Sequence, residues 1–321
     1  MTEKTLEETS AKLRDLLNVS VKKNLAECVL FSGGLDTSVI AALASAYGEL
    51  TGVTVSFYEA PDVPYAELMA QKFEMNHIIV RINEKDVSEA VRDVIHTMKS
   101  FDPMEVRNDA AIIIGLKAAK RLGFTDVMTG DAGDELFAGY SFFFHLTRGA
   151  VERNLVKMWK IMSFASKPLA ENLGMVAKLP FLDDEEFKDF AMKIPVEWKI
   201  REVCNQIYGK WILRKAFERI LPETITWRTK IPIEQGSGTS EFSQYLTKKI
   251  TDSDFDRERK TILDADGVCI RDREQLFYFK IYKSEYGSPH GLGEGSKSCS
   301  GCGARLAHEI DFCRICGSFP V

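Results

Sequence analysis

The sequence predicts an α/β protein: a parallel sheet wound with helices on both faces, then a helical C-terminal part, then a small cysteine-rich appendage. Three observations carry the prediction. Apolar runs rich in β-formers alternate with helical segments as far as Gly130. From about Phe143 to Tyr286 the alternation gives way to helical sequence. Beyond a glycine-rich stretch, the end of the chain holds two Cys-x-x-Cys pairs.

Residues 5–25 place Leu6, Leu13, Leu16, Leu17, Val21 and Leu25 at helical spacing, a helix leading into the first strand, 26–31. That strand breaks at Ser32-Gly33-Gly34, and small-residue helical sequence follows over 37–47. Gly33 and Gly34 lack a Cβ, so their N–H groups can close on an anion, and the N-terminus of the next helix adds partial positive charge. The loop is suited to phosphate. No lysine follows the glycines as in GxxxxGK[ST]; Asp36 stands there instead, and an acid beside a phosphate implies a bridging metal. Ser32 and Ser38 can donate hydroxyls to the same anion.

Residues 50–57 form the second strand, with Val53, Val55 and Phe57 alternating with Thr54 and Ser56. Pro61 and Pro64 break the chain, and a helix over 65–75, a strand over 77–82 and a helix over 87–99 follow. Short connections imply a parallel sheet whose ligands gather at the carboxyl ends of the strands, where Ser32 lies. A helix over 108–122 precedes a short strand, 126–129, that ends in Gly130-Asp131-Ala132-Gly133-Asp134-Glu135-Leu136-Phe137-Ala138-Gly139-Tyr140. Acids in a first helical turn commonly just offset the helix dipole. Here Asp131, Asp134 and Glu135 are interleaved with glycines at the end of a strand sharing a sheet with Asp36, which favours metal coordination.

In the helical part, Pro180-Phe181-Leu182-Asp183 marks a sharp turn and the acids 183–186 a helix start. A helix over 210–221 carries Leu213, Ala216, Phe217 and Ile220 on one side and stops at Pro222. Trp227-Arg228-Thr229-Lys230-Ile231-Pro232 and then Gly236-Ser237-Gly238 form a basic, then glycine-rich stretch able to reach over a phosphate. Residues 284–298 read as a flexible linker. Cys299-x-x-Cys302 and Cys313-x-x-Cys316, ten residues apart and flanked by Gly301, Gly303 and Gly317, read as a four-thiolate zinc ribbon over 299–321 rather than two disulfides or an iron–sulfur centre. A ribbon this short cannot bury a core, so the metal would supply its folding energy.

The 321 residues carry a net charge of −5, which gives no global basic signature for nucleic acid. The first residues lack a basic start followed by an apolar stretch, and no apolar run reaches the ~18 residues of a membrane span, so a cytoplasmic location is expected. The five histidines show no HExxH spacing.

Ser32-Gly33-Gly34-Leu35-Asp36-Thr37-Ser38 resembles the pyrophosphate loop of enzymes that split ATP into AMP and pyrophosphate. With the Gly130–Tyr140 run, Pro180-Phe181-Leu182-Asp183 and the stretch 210–238, the chain resembles the synthetase domain of asparagine synthetases from about Leu13 to about Ser240. The resemblance implies a fold of the pyrophosphate-loop (adenine nucleotide alpha hydrolase-like) type over 1–283. It also implies a two-step amidation: the side-chain carboxylate of aspartate attacks the α-phosphate of MgATP, giving an acyl-AMP and pyrophosphate, and ammonia then displaces AMP. On this likeness Ser32, Gly33, Gly34, Thr37 and Ser38 hold pyrophosphate, Asp36, Asp134 and Glu135 hold Mg²⁺, and Lys230 stabilises the charged transition state. Leu30, Val55, Thr129 and Gly130 line the AMP site.

This chain departs from the family pattern in three places. Asp131 stands where many members have a glutamate that acts on ammonia. The family's Ile-Arg-Ala-Ser is here Val106-Arg107-Asn108-Asp109, which keeps Arg107 as a carboxylate clamp and leaves the acid open. The chain begins almost directly at the synthetase domain and has no cysteine before Cys28, so free ammonia or a separate glutaminase is expected as nitrogen source. Two other readings stay open, an RNA-modifying enzyme that grips tRNA through the ribbon and a non-catalytic nucleotide-binding subunit. A homodimer is a further partnership left open.

Overall fold

The computed structural model describes residues 3–308 and 310–321, so position 309 of the ribbon lies outside the described residues. The chain divides into two compact units, one of residues up to 54, 61–80 and 115–232, the other of 55–60, 81–114 and 233–321.

Helix α1 (Glu3–Lys23) buries Leu13, Leu17 and Val21 along one face and ends on Lys22 and Lys23, which suit its C-terminal dipole. It packs on α2, α9 and α11 of the same unit, where Lys23 meets Asp184 at 2.6 Å. Strand β1 (Cys28–Leu30) feeds α2 (Leu35–Ala44), whose Val39, Ile40, Ala41 and Ala44 are buried. There follow β2 (Thr51–Phe57), α3 (Val63–Lys72), β3 (Asn76–Ile82) and α4 (Glu84–Met98), the last started by a capping box between Asn83 and Asp86. Next come α5 (Pro103–Arg121), β4 (Asp126–Met128) and α6 (Gly133–Phe137), then α7 (Arg148–Ile161) and α8 (Ser166–Asn172).

A fifth strand, β5 (Val176–Lys178), interrupts the stretch expected to be helical. After α9 (Glu185–Lys193) and α10 (Val196–Lys199) comes a hairpin, β6 (Arg201–Val203) and β7 (Gln206–Tyr208). Its turn residues Cys204 and Asn205 both have positive φ, 51° and 63°, so the hairpin uses left-handed geometry without the glycine that announces it. The first unit closes with α11 (Trp211–Phe217) and α12 (Glu223–Thr226).

The sheet order is β3-β2-β1-β4-β5. β1 is parallel to β2, with Leu30 opposite Val53, and to β4, with Val29 opposite Met128. β4 is parallel to β5 from Asp126 opposite Val176 to Met128 opposite Lys178. The expected α/β fold with a parallel sheet is the fold observed. β1 therefore sits between neighbours that are far apart in sequence.

The second unit contains α4, the first part of α5, α13 (Ile233–Gly236), α14 (Glu241–Lys249), α15 (Asp252–Asp266) and α16 (Arg273–Tyr286). Phe101 packs against Phe279 and Tyr282, with ring centres 5.2 and 5.0 Å apart. A two-stranded ribbon, β8 (Lys297–Ser298) with β9 (Arg305–Leu306), ends the chain. In the segment 284–298, α16 continues to Tyr286, the Gly291 amide donates to the Gly303 carbonyl at 2.9 Å, and the Arg305 amide donates to the Leu292 carbonyl at 2.7 Å. No helix among the described residues is long and apolar enough to cross a membrane.

Candidate active site

From β1 the chain passes to β2 and β3 on one side, while β4 and β5 lie on the other. The winding reverses beside β1, so the loops that follow β1 and β4 meet at the carboxyl end of the sheet. Glycine sets how close they come. A Cβ on Gly130 would press on Thr37 and Asp36, and one on Gly133 would collide with the Asp36 carboxylate.

The first loop is tied by its own side chains. Ser32 Oγ lies 3.2 Å from Thr37 Oγ1 and accepts the Gly34 N–H at 3.2 Å. Gly33 has φ +64°, and any Cβ there would strike the backbone of Tyr65 and Ala66. Gly34 is the N-cap of α2, so the free N–H groups of that helix's first turn open onto the loop. Ser38 Oγ and Asp36 Oδ1 are buried without a hydrogen-bond partner among the described residues.

Sequence reading of 210–221 as a plain amphipathic helix missed the centre of the site. Lys210 is the residue before α11, and its side chain is 5% exposed. Its ammonium pairs with Asp36 Oδ2 and lies 2.8 Å from Asp134 Oδ1. Lys230 Nζ lies 2.8 Å from the same Asp134 oxygen and 4.1 Å from the centre of the Tyr140 ring. Two carboxylates and two ammoniums thus form one cluster. Gly139 leaves room for it, since a Cβ there would overlap both Asp134 and Lys210.

Burial raises the Asp36 carboxyl above the usual range, and Lys210 opposes that rise. Burial acts on Asp134 in the same sense, but Lys210 and Lys230 outweigh it and hold its carboxyl below the usual range. For Lys210 burial favours the neutral amine, and the two carboxylates overcome it and keep the ammonium. One buried guanidinium braces this arrangement. Arg214 donates from Nε to the Gly209 carbonyl and from Nη1 to the Arg228 carbonyl, both at 3.0 Å, tying the segment before Lys210 to the one before Lys230. Arg228 in turn meets Asp62 at 2.7 Å and stacks over Tyr65 at 3.7 Å.

The loop after β4 carries the remaining acids. The Asp131 carboxylate accepts from the hydroxyls of Thr129, at 2.9 Å, and Ser166, and burial raises its carboxyl above the usual range. Glu135 is turned to Tyr140, whose hydroxyl donates to it at 2.5 Å. Ala132 and Ala138, at either end of α6, have φ 74° and 53°, left-handed conformations that strain a residue with a Cβ. Magnesium fits this donor set, because Asp36 Oδ1 is a buried hard oxygen without a partner and Asp134 lies across the same cation from it.

Not every expected site residue falls in this cluster. Leu30 lies in β1 opposite Val53, whereas Val55 belongs to the end of β2 assigned to the second unit. Arg107 is in the second unit too, in the first part of α5. Its Nη1 is 3.5 Å from Glu274 Oε2, and its carbonyl accepts from Thr239 Oγ1 at 3.3 Å. Glu274 is 3% exposed and accepts from the Tyr278 hydroxyl at 2.7 Å. Burial pushes its carboxyl up to about 7. The neighbouring Asn108 accepts the Glu234 amide at 3.2 Å.

Cys299, Cys302, Cys313 and Cys316 converge, all buried, with their sulfurs within 4.8 Å of one another. Cys299 and Cys316 Sγ are 3.6 Å apart, and Cys302 and Cys313 Sγ 3.8 Å. A tetrahedral centre with Zn–S bonds of about 2.3 Å sets its sulfurs about 3.8 Å apart, whereas a disulfide needs about 2.05 Å. The donor set fits zinc.

A family model described as asparagine synthase matches residues 12–173 and 168–269. Asparagine synthetase B (glutamine-hydrolysing) of Escherichia coli is 30% identical over 256 residues, 71% of this chain and 45% of that protein. A putative asparagine synthetase of Methanocaldococcus jannaschii is 27% identical over 289 residues, 78% of this chain and 53% of that one. The chain spans about half the length of these curated relatives. Among solved structures, NMN synthetase from Francisella tularensis aligns with a TM-score of 0.39 at 15% identity, covering 88% of this chain and 94% of that one. The family match takes in both loops at the sheet's carboxyl end, the Lys210 and Lys230 segments and Arg107, so that most of the chain is accounted for by one lineage: it belongs to the asparagine synthase family.

Proposed function

We propose that this chain adenylates the side-chain carboxylate of aspartate, or a closely related acid, and passes the acyl group to ammonia, giving asparagine, AMP and pyrophosphate. The observation that carries the reading is the cluster of Asp36, Lys210, Asp134 and Lys230 beside the first-turn N–H groups of α2, in a chain of this family.

The chemistry needs what these residues offer. A carboxylate is a poor acyl donor, since its leaving group would be oxide, and here an anion must attack an anion. The loop N–H groups with Ser32, Thr37 and Ser38 hold the β- and γ-phosphates. The acid's oxygen adds to the α-phosphorus, the bond to pyrophosphate breaks, and Lys230, the more exposed of the two lysines, screens the charge on the α-phosphate. Magnesium, held by Asp36 and Asp134 with Glu135 nearby, neutralises polyphosphate charge when bound. Asp131 then takes the proton that ammonia loses as it displaces AMP, a role its raised pKa suits and Thr129 and Ser166 orient. Leu30, Val55, Thr129 and Gly130 take the adenosine, and Arg107 holds the acid's second carboxylate. The four cysteines hold zinc.

The test is pyrophosphate release from MgATP with aspartate plus ammonium, aspartate plus glutamine, and no amino acid. The expected result is release that requires aspartate and ammonium, with asparagine and AMP formed in equal amounts. Formation of ADP and phosphate would refute the adenylation.

A further inference from the structure

The zinc-ligating knuckle Cys313–Gly317 is gripped through its main chain by the two segments that set Arg107. From the segment just before α5, the Phe101 amide donates to the Ile315 carbonyl at 2.7 Å and Ser100 Oγ to the Arg314 carbonyl at 2.8 Å. Gly317 lies so close to Asp102 that a Cβ would overlap the carboxylate. From the start of α16, Gln275 Nε2 donates to the Cys316 carbonyl at 2.8 Å, and Arg271 donates to the Cys316 and Gly317 carbonyls at 2.9 Å each. Arg107 is one turn into α5, and its partner Glu274 is the residue next to Gln275. Carbonyls are the only polar main-chain groups a knuckle can offer to such donors, and here they are offered by the same segment whose thiols converge on one centre.

We infer that the metal knuckle is the brace that sets the Arg107–Glu274 pair, so that metal occupancy governs capture of the acid substrate and leaves the nucleotide loop intact. This rests on the reading of Arg107 as the carboxylate clamp. Side chains at 271 and 275 act as positioning residues, reaching Arg107 through α16. Without metal the four thiols no longer hold the carbonyls of 314–317 in place, and the first turns of α5 and α16 lose their shared anchor.

Amide hydrogen exchange of the full chain, zinc-loaded and after chelation, tests this directly. Peptides covering 100–109 and 271–278 are expected to exchange about tenfold faster without zinc, to recover on adding zinc, and peptide 32–40 to stay unchanged. Unchanged exchange at 100–109 and 271–278 would overturn the proposal, as would equal loss of protection at 32–40, which would make zinc a brace of the whole fold. In parallel, Gln275→Ala at full zinc content is expected to raise KM for aspartate several-fold with KM for ATP unchanged; equal changes in both would also count against it. If zinc-loaded protein shows no response to aspartate while the exchange pattern holds, the substrate assignment fails and the brace stands.

Discussion

The two units support chemistry in opposite ways. In the first, buried Lys210 sits between partly buried Asp36 and Asp134 where two strand-end loops meet, and packing around a five-stranded sheet holds them. In the second, Arg107 on α5 pairs with Glu274 on α16, and both helix starts bond to a ribbon whose strands have two residues each. A large core can enforce charge burial without help. The ribbon is too short to bury a core of its own, and four converging thiolates stand in its place.

The largest expected effect lies in the first unit. Asp36→Ala or Lys230→Ala should lower pyrophosphate release about a thousandfold or more, because charge aimed at the reacting phosphates cannot be supplied by solvent. Activity within tenfold of wild type would remove the cluster from the reaction. Lys210→Met should cost roughly 3 kcal/mol in urea denaturation, since it takes the shared cation from between two partly buried carboxylates. Zinc removal sharpens the contrast: calorimetry of the stripped protein should show one transition lowered and another unmoved, whereas a single shifted transition would erase the distinction between units.

A smaller effect is pH-dependent. The Asp131 carboxyl is raised by burial, so its protonated form favours the fold and that contribution is lost as pH climbs from the ordinary value of 3.8 through the raised one. Asp131→Asn should therefore lose less stability than wild type across that window in denaturation curves taken at stepped pH, while amide formation falls. The smallest effect is conformational. Cys204→Gly in the exposed hairpin turn relieves a left-handed residue and should gain about 0.5–1 kcal/mol, read as a higher urea midpoint.

How much of this could be read from the sequence follows the same contrast. The strand, loop and helix from Ala26 to Tyr47 were legible because β-formers, paired glycines and small helical residues all point one way, and the acids after β4 because glycines frame them. Lys210 was not legible, since a lysine ahead of an apolar helix looks like a solvated end until Asp36 is folded against it from 174 residues away. β5 spans three residues, too few to show a period of two, and the β6–β7 turn lacks glycine. The sequence marked Arg107 but not its partner Glu274, which lies on a helix beyond the resembling region. The stretch 284–298 reads as slack by composition, yet its glycines at 293 and 295 lie where a Cβ would meet the backbone of Arg305 and Leu306.

The place of Lys210 bears on how the protein waits for its substrates. A resting site with two bare acids would recruit ions from solution and change shape as they came and went. By seating an ammonium between them, the chain carries its own counter-ion, covalently attached and impossible to dilute away. A chelator strong enough to strip magnesium from solution should leave these loops as they are, ready for the nucleotide to arrive with its metal.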